Sequence, residues 1–136
     1  MKPLAKIASG GELSRIMLAL KVALIDQESQ KIYLFDEVDT GIGGSIAETV
    51  GRKLQAVGAH SQAVCITHLA QVASCAHDHY LVAKYIDSGR TASKMTRLDP
   101  NDRITEISRM IGGAELTEGA RLNATELLQR NMPVPV

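Results

Sequence analysis

Two short apolar runs, each closed by polar residues with chemistry to offer, constrain this chain most. Ile32-Tyr33-Leu34-Phe35 stops abruptly at Asp36-Glu37, and Ala63-Val64-Cys65-Ile66-Thr67 stops at His68. Their length and bounds favour buried strands. Between them Gly41-Ile42-Gly43-Gly44 reads as a loop. Ser45 follows with Glu48 three positions on, a capping-box spacing that starts a helix running to about Val57, with Gly58 as its stop. A strand, a helix and a second buried strand in this order predict parallel pairing, because parallel neighbours need a crossover. The expected fold class is α/β, a mainly parallel sheet flanked by helices.

The flanking segments extend this pattern. Leu13, Ile16, Met17, Leu20 and Leu24 recur at three- and four-residue steps, with Val22 and Ala23 beside them, and predict a largely buried helix over 12–26. Residues 27–31 are a polar connection. A short helix is expected over 69–74. Residues 79–86 and 91–98 read as two strands around the turn Asp87-Ser88-Gly89-Arg90. Asp99 then caps a helix with Pro100 at its first position, Ile104, Ile107, Met110 and Ile111 form its apolar face, and Gly112-Gly113 ends it. A last helix is expected over 118–130. The expected organisation is one lobe over 1–131 and a frayed tail, Met132-Pro133-Val134-Pro135-Val136.

Composition narrows the class. Hydrophobic residues make up 45% but aromatics only 3%, with no Trp, so the core must be aliphatic. Fifteen basic and fifteen acidic residues cancel, and no Lys/Arg run marks a nucleic-acid stripe. Cys65 and Cys75, the only cysteines, fit a reducing compartment better than a disulfide scaffold. Met1-Lys2-Pro3-Leu4 opens no signal-peptide stretch, and no run approaches the roughly eighteen apolar residues of a membrane span. A soluble cytosolic domain is expected.

Three constellations carry chemistry. Ser9-Gly10-Gly11-Glu12 fits a capping box, but that leaves two glycines unexplained, each costing up to about 1 kcal/mol in a helix relative to alanine. A phosphate approaching a helix N-terminus would explain them equally well. Asp36-Glu37 can begin a solvated loop. It can also place one carboxylate on Mg²⁺ and the other on an attacking water, at the carboxyl ends of parallel strands where such sites form. His68 alone is more often a satisfied structural residue than a catalytic one, and the functional reading is a sensor that hydrogen-bonds the terminal phosphate and the attacking water. A rival zinc grouping around Cys65, His68 and Cys75-Ala76-His77-Asp78-His79 has His77 and His79 on one strand face, yet no C-x-x-C pair and no second ligand pair.

In this order the three sets resemble a known family. Ala8-Ser9-Gly10-Gly11-Glu12 resembles the signature motif of ABC-type ATPases, Ile32 to Glu37 their Walker B strand, and Thr67-His68 their switch histidine. Lys2-Pro3-Leu4-Ala5-Lys6-Ile7, Ser9-Gly10-Gly11-Glu12-Leu13-Ser14-Arg15, Asp36-Glu37-Val38-Asp39-Thr40-Gly41-Ile42, Thr67-His68-Leu69-Ala70-Gln71-Val72-Ala73 and Ile107-Ser108-Arg109-Met110-Ile111-Gly112-Gly113 are together similar to the SMC-like RecN family of bacterial DNA repair. The resemblance implies the C-terminal lobe of a P-loop NTPase-type ABC ATPase head, with a β-hairpin and C-terminal helices. It implies ATP and Mg²⁺ as cofactors. Ser9, Gly10, Gly11 and Glu12 would meet the terminal phosphate bound to the opposite subunit of a head-to-head homodimer. Asp36 would serve Mg²⁺ through a water, Glu37 would be the catalytic base and His68 the phosphate sensor. The D-loop position usually held by aspartate falls on Gly43, and Asp39 would take part of its role.

No segment reads as G-x-x-x-x-G-K-[ST], so the Walker A loop that cradles the β- and γ-phosphates is missing. In the RecN family that loop lies in an N-terminal lobe beyond a long coiled coil. The implied partners are that lobe, a second head, and DNA through the full-length protein, with no membrane. The implied location is the bacterial cytoplasm, in association with the nucleoid. The implied function is ATP-driven head dimerisation and hydrolysis in double-strand break repair and recombination, with the isolated chain inactive. Two other readings compete: a non-enzymatic module that docks on another ATPase head, and a nucleotide-binding fragment of an ABC transporter.

Overall fold

A computed structural model describes residues 9–24, 31–87, 89–113 and 115–132. The expectations for residues 1–8, 25–30, Ser88 and the tail at 133–136 lie outside them. The chain divides into two compact units, one comprising the described residues up to His77 with Asn131 and Met132, the other running from Asp78 to Arg130.

The first unit contains α1 (Gly10–Ala23), β1 (Ile32–Phe35), α2 (Gly44–His60), β2 (Gln62–Cys65) and the single turn α3 (Ala70–Ala73). β1 and β2 pair in parallel, from Ile32↔Gln62 to Phe35↔Cys65, with α2 as the crossover. The expected βαβ unit is therefore present. The mainly parallel sheet is not, because among the described residues the strands form two sheets of two strands, and only this one is parallel. Phe35 is buried with Leu18, Val38, Val50, Leu54 and Val57 in the aliphatic core. The other face of the sheet is open: Ile32 and Leu34 are 72% and 70% exposed. The runs predicted to be buried strands thus alternate, with Phe35 buried and Tyr33, Ala63 and Cys65 half-buried on the inward face, following the two-residue period of a strand.

α1 begins with the expected capping box. The Ser9 N–H donates to Glu12 Oε2 at 2.7 Å, and the Glu12 N–H donates to Ser9 Oγ at 3.3 Å. Its buried stripe is not the expected one. Leu13, Ile16, Met17, Leu20 and Leu24 are 38–53% exposed, while Gly11, Arg15, Leu18 and Val22 form the inward face. Helical spacing defines both stripes equally well, and burial goes to the one that α2 and β1 cover.

α2 also departs from expectation. Its cap is Gly43, which offers no side chain, and Ser45 lies inside the helix, accepting from Thr49 Oγ1 through its carbonyl at 2.9 Å. Glu48 pairs with Arg52 one turn on, so the Ser45–Glu48 capping box does not form. The helix continues through Gly58 to His60. At Gly51 it lies so close to α3 that a Cβ would sit 2.8 Å from Cys75 Sγ and 3.1 Å from the Gln71 carbonyl oxygen.

The second unit matches its local signals closely. β3 (Tyr80–Asp87) and β4 (Arg90–Arg97) form an antiparallel hairpin, registered from Tyr80↔Arg97 to Asp87↔Arg90. Asp99 Oδ1 accepts from the N–H groups of Asn101 and Asp102, both at 2.8 Å, and Pro100 opens α4 (Pro100–Gly112). Gly113, at φ 80°, ends α4 in the left-handed region that glycine tolerates. α5 spans Glu118–Arg130 as expected, burying Ala120, Ala124 and Leu127. Among the described residues no helix is long and apolar enough to cross a membrane.

Candidate functional site

The carboxyl ends of β1 and β2 lie side by side. The last paired residues are Phe35 and Cys65, and the Ile66 N–H still donates to the Phe35 carbonyl at 3.1 Å. Beyond that point β1 turns sharply. Glu37 has φ 57°, a left-handed conformation that is costly for a side chain of its type. Its carbonyl accepts from the Thr40 N–H at 3.1 Å, which closes the turn. Val38 is fully buried and Asp39 nearly so, while Asp36 and Glu37 are exposed. The loop therefore inserts two side chains into the unit and presents two carboxylates outward.

Asp39 ties this loop to the end of β2. Its Oδ2 accepts from Thr67 Oγ1 at 2.5 Å and from the His68 N–H at 3.1 Å, and it lies 3.2 Å from His68 Nδ1. Thr67 Oγ1 also accepts from the Leu69 N–H at 3.0 Å. His68, expected at the strand's end, stands three residues past it, in a turn shaped by these bonds.

α1 is stitched to the same loop. Ser14 Oγ donates to the Asp36 carbonyl at 2.9 Å, and Arg15 Nη1 donates to the carbonyls of Val38 at 3.2 Å and Thr40 at 2.8 Å. These contacts bring Ser9-Gly10-Gly11 against the acids. A Cβ on Gly10 would lie 2.7 Å from Glu37 Oε2. One on Gly11 would lie 2.7 Å from the Glu37 carbonyl oxygen and 3.1 Å from Thr40 Cβ. Glu12 is held by its cap, and the Ser9 N–H, followed by the Ser9 hydroxyl, draws its carboxyl below the usual carboxylate range.

The proposed signature, acidic pair and histidine are thus gathered within one unit. Ser14, Arg15 and Thr67 were not read from the sequence as site residues. The available signal for Arg15 was its place on the 11/15/18/22 stripe, which the more apolar stripe concealed. Gly43 has an extended backbone at φ −168° and open space around it, so an aspartate would fit there sterically.

The zinc grouping finds no matching geometry. Cys75 is buried with Sγ 3.4 Å from the Gln71 carbonyl oxygen, and His77 and His79 both precede β3 rather than sharing one of its faces. No three His, Cys, Asp or Glu residues gather as metal ligands among the described residues. Burial, with the charges of Asp39 and Asp36 adding, pushes the Cys65 thiol up to about 12, so it is no thiolate nucleophile at neutral pH.

No protein-family model matches the chain. Curated relatives do. It is 50% identical over 128 residues to the DNA repair protein RecN of Xylella fastidiosa strain 9a5c, covering 94% of the chain. It is 45% identical over 128 residues to RecN of Vibrio cholerae and 44% identical over 130 residues to RecN of Bacillus subtilis. In each case the match spans only 23% of the relative's length. The chain belongs to the RecN family of DNA repair proteins, to whose C-terminal part it corresponds.

Proposed function

We propose that this chain is the C-terminal lobe of an ABC-type ATPase head in a DNA double-strand break repair and recombination protein. It supplies the signature, Walker B and switch elements and relies on a separate lobe for the phosphate-gripping Walker A loop. The observation that carries the reading is the convergence of Asp36-Glu37, His68 and the glycine N-terminus of α1 at the carboxyl edge of one parallel strand pair. That edge is where α/β sheets build ligand sites. Identity to RecN proteins over nearly the whole chain supports DNA repair over the transporter reading.

The residues suit ATP and Mg²⁺. Asp36 has its carbonyl bound by Ser14 and its exposed carboxylate available to a hydrated cation. When bound, Mg²⁺ supplies charge neutralisation at the phosphates. Glu37 accepts a hydrogen bond from the attacking water and orients it. Its carboxylate first swings off Gly10, a rotamer change open to an exposed side chain. His68 meets the terminal phosphate. Ser9, Gly10 and Gly11 close over the nucleotide of a second head, offering N-terminal amides with no Cβ in the way. Glu12 acts in that turn as the cap that holds the amides in place.

The test uses the full-length protein. Glu37→Gln should leave ATP binding intact, lower turnover at least ~100-fold and accumulate the head-to-head dimer in sedimentation. Turnover at the wild-type rate would remove Glu37 as the base.

A further inference from the structure

We infer that Asp39 is a positioning residue that holds the His68 imidazole by Nδ1 and turns Nε2 outward, toward the site. Its link to hydrolysis rests on the reading of His68 just given; the geometry does not.

Asp39 is only 3% exposed. Burying a carboxylate is unfavourable unless donors surround it. Val38 and Phe35 show that this part of the unit packs well with apolar side chains, so packing alone does not call for an acid. What the acid gains is two hydrogen bonds on one oxygen, from the Thr67 hydroxyl and the His68 N–H, with His68 Nδ1 in contact with the same oxygen at 3.2 Å. The first two anchor the backbone after β2. The Nδ1 contact is different in kind, because it reaches a side chain that is 75% exposed. A carboxylate can only accept, so Nδ1 carries the proton and Nε2 becomes the nitrogen left for a phosphate oxygen or a water. An acid that fixes the tautomer and direction of a working histidine is a common arrangement, and its loss typically costs activity without removing a group that touches substrate.

Asp39 also lies on the loop that carries Asp36 and Glu37. The residue that aims His68 is thereby coupled through three residues of backbone to the acids, and through Arg15 to α1.

Long-range proton–nitrogen NMR of the imidazoles in this chain tests the inference without any turnover. The chain has four histidines, and loss of a signal in His68→Gln assigns the relevant one. At a pH where imidazoles are neutral, His68 should show the Nδ1–H tautomer. Asp39→Ala should return it to the Nε2–H form that free imidazole prefers, whereas Thr67→Val, which removes a partner of Asp39 but not the ring, should keep Nδ1–H. A wild-type His68 in the Nε2–H form overturns the proposal, even if Asp39→Ala fails to fold. So does a Thr67→Val variant that frees the ring as fully as Asp39→Ala.

In the full-length protein, Asp39→Ala should lower kcat about 10- to 100-fold with KM for ATP changed less than about twofold, and it should add nothing in a His68→Ala background. Additive effects on kcat overturn the positioning role. If His68→Ala itself leaves turnover unchanged, the sensor reading of His68 fails, and the tautomer measurement alone decides the positioning of the ring.

Discussion

Gly10 and Gly11 stand side by side at the start of α1, and they lack side chains for different reasons. Gly10 faces the tip of the Glu37 side chain, which can swing away, whereas Gly11 faces the Glu37 carbonyl, which cannot. Alanine at either position gains up to about 1 kcal/mol of helix propensity. Gly10→Ala should therefore be near neutral for stability while moving the Glu37 carboxylate. Gly11→Ala should lose about 1–3 kcal/mol through overpacking, read as a lower urea midpoint. Equal midpoints for the two variants would mean that the loop does not press on α1 as described. The Ser9–Glu12 box and both glycines were legible in the sequence because a cap is a contact across three residues. The pressure of residues 37–40 on Gly11 was not, since it arises across more than twenty residues of chain. Asp39 shows the same limit: its position in the motif was visible, its contacts with Thr67 and His68 after β2 were not.

Elements divide along the same line. The hairpin, the Asp99-Pro100 start of α4, its Gly113 stop and the bounds of α5 all follow signals within a few residues, and all were readable. The buried stripe of α1 was misread because spacing marks an amphipathic face without saying what covers it. Ser45 and Glu48 have capping-box spacing, yet Gly43 starts α2 one turn's fraction earlier and takes both into the helix. The close packing of α2 on α3 gives a prediction at this scale. Gly51→Ala should cost about 1–3 kcal/mol, and Cys75→Ala in the same chain should recover part of it, because Sγ is the nearest obstruction. A thermal melt of the two variants decides, and failure of the second change to recover anything would place the strain on the Gln71 carbonyl instead. The second unit carries a pH dependence. Burial, aided by Arg103, lowers the His79 pKa below its ordinary value near 6.5, while Glu106 opposes the shift. The unfolded chain then binds the proton more readily than the folded one. The stabilisation is complete above about pH 6.5 and is lost as pH falls through the folded value. Acidification from neutral should lower the melting temperature less in His79→Gln than in the wild type.

For the whole molecule the telling feature is the apolar surface left open on the first unit. Ile32, Leu34, Val64 and Ile66 show an uncovered sheet face, and α1 turns its leucine stripe outward. An exposed apolar patch of this kind on a sheet face favours association. In the RecN relatives most of the length lies outside the matched segment, which on the proposed reading contains the lobe that completes the sheet. The same side chain should then behave oppositely in the two contexts. Leu34 is 70% exposed here, so Leu34→Gln should leave the stability of this chain within about 0.5 kcal/mol and reduce its self-association in sedimentation. In the full-length protein the same substitution places an amide in an apolar interior and should cost about 1–3 kcal/mol, seen as a lower melting temperature. If Leu34→Gln is equally harmless in both contexts, the sheet face stays open in the complete protein, and a lobe covering it is the wrong account of why this strand is apolar on both sides.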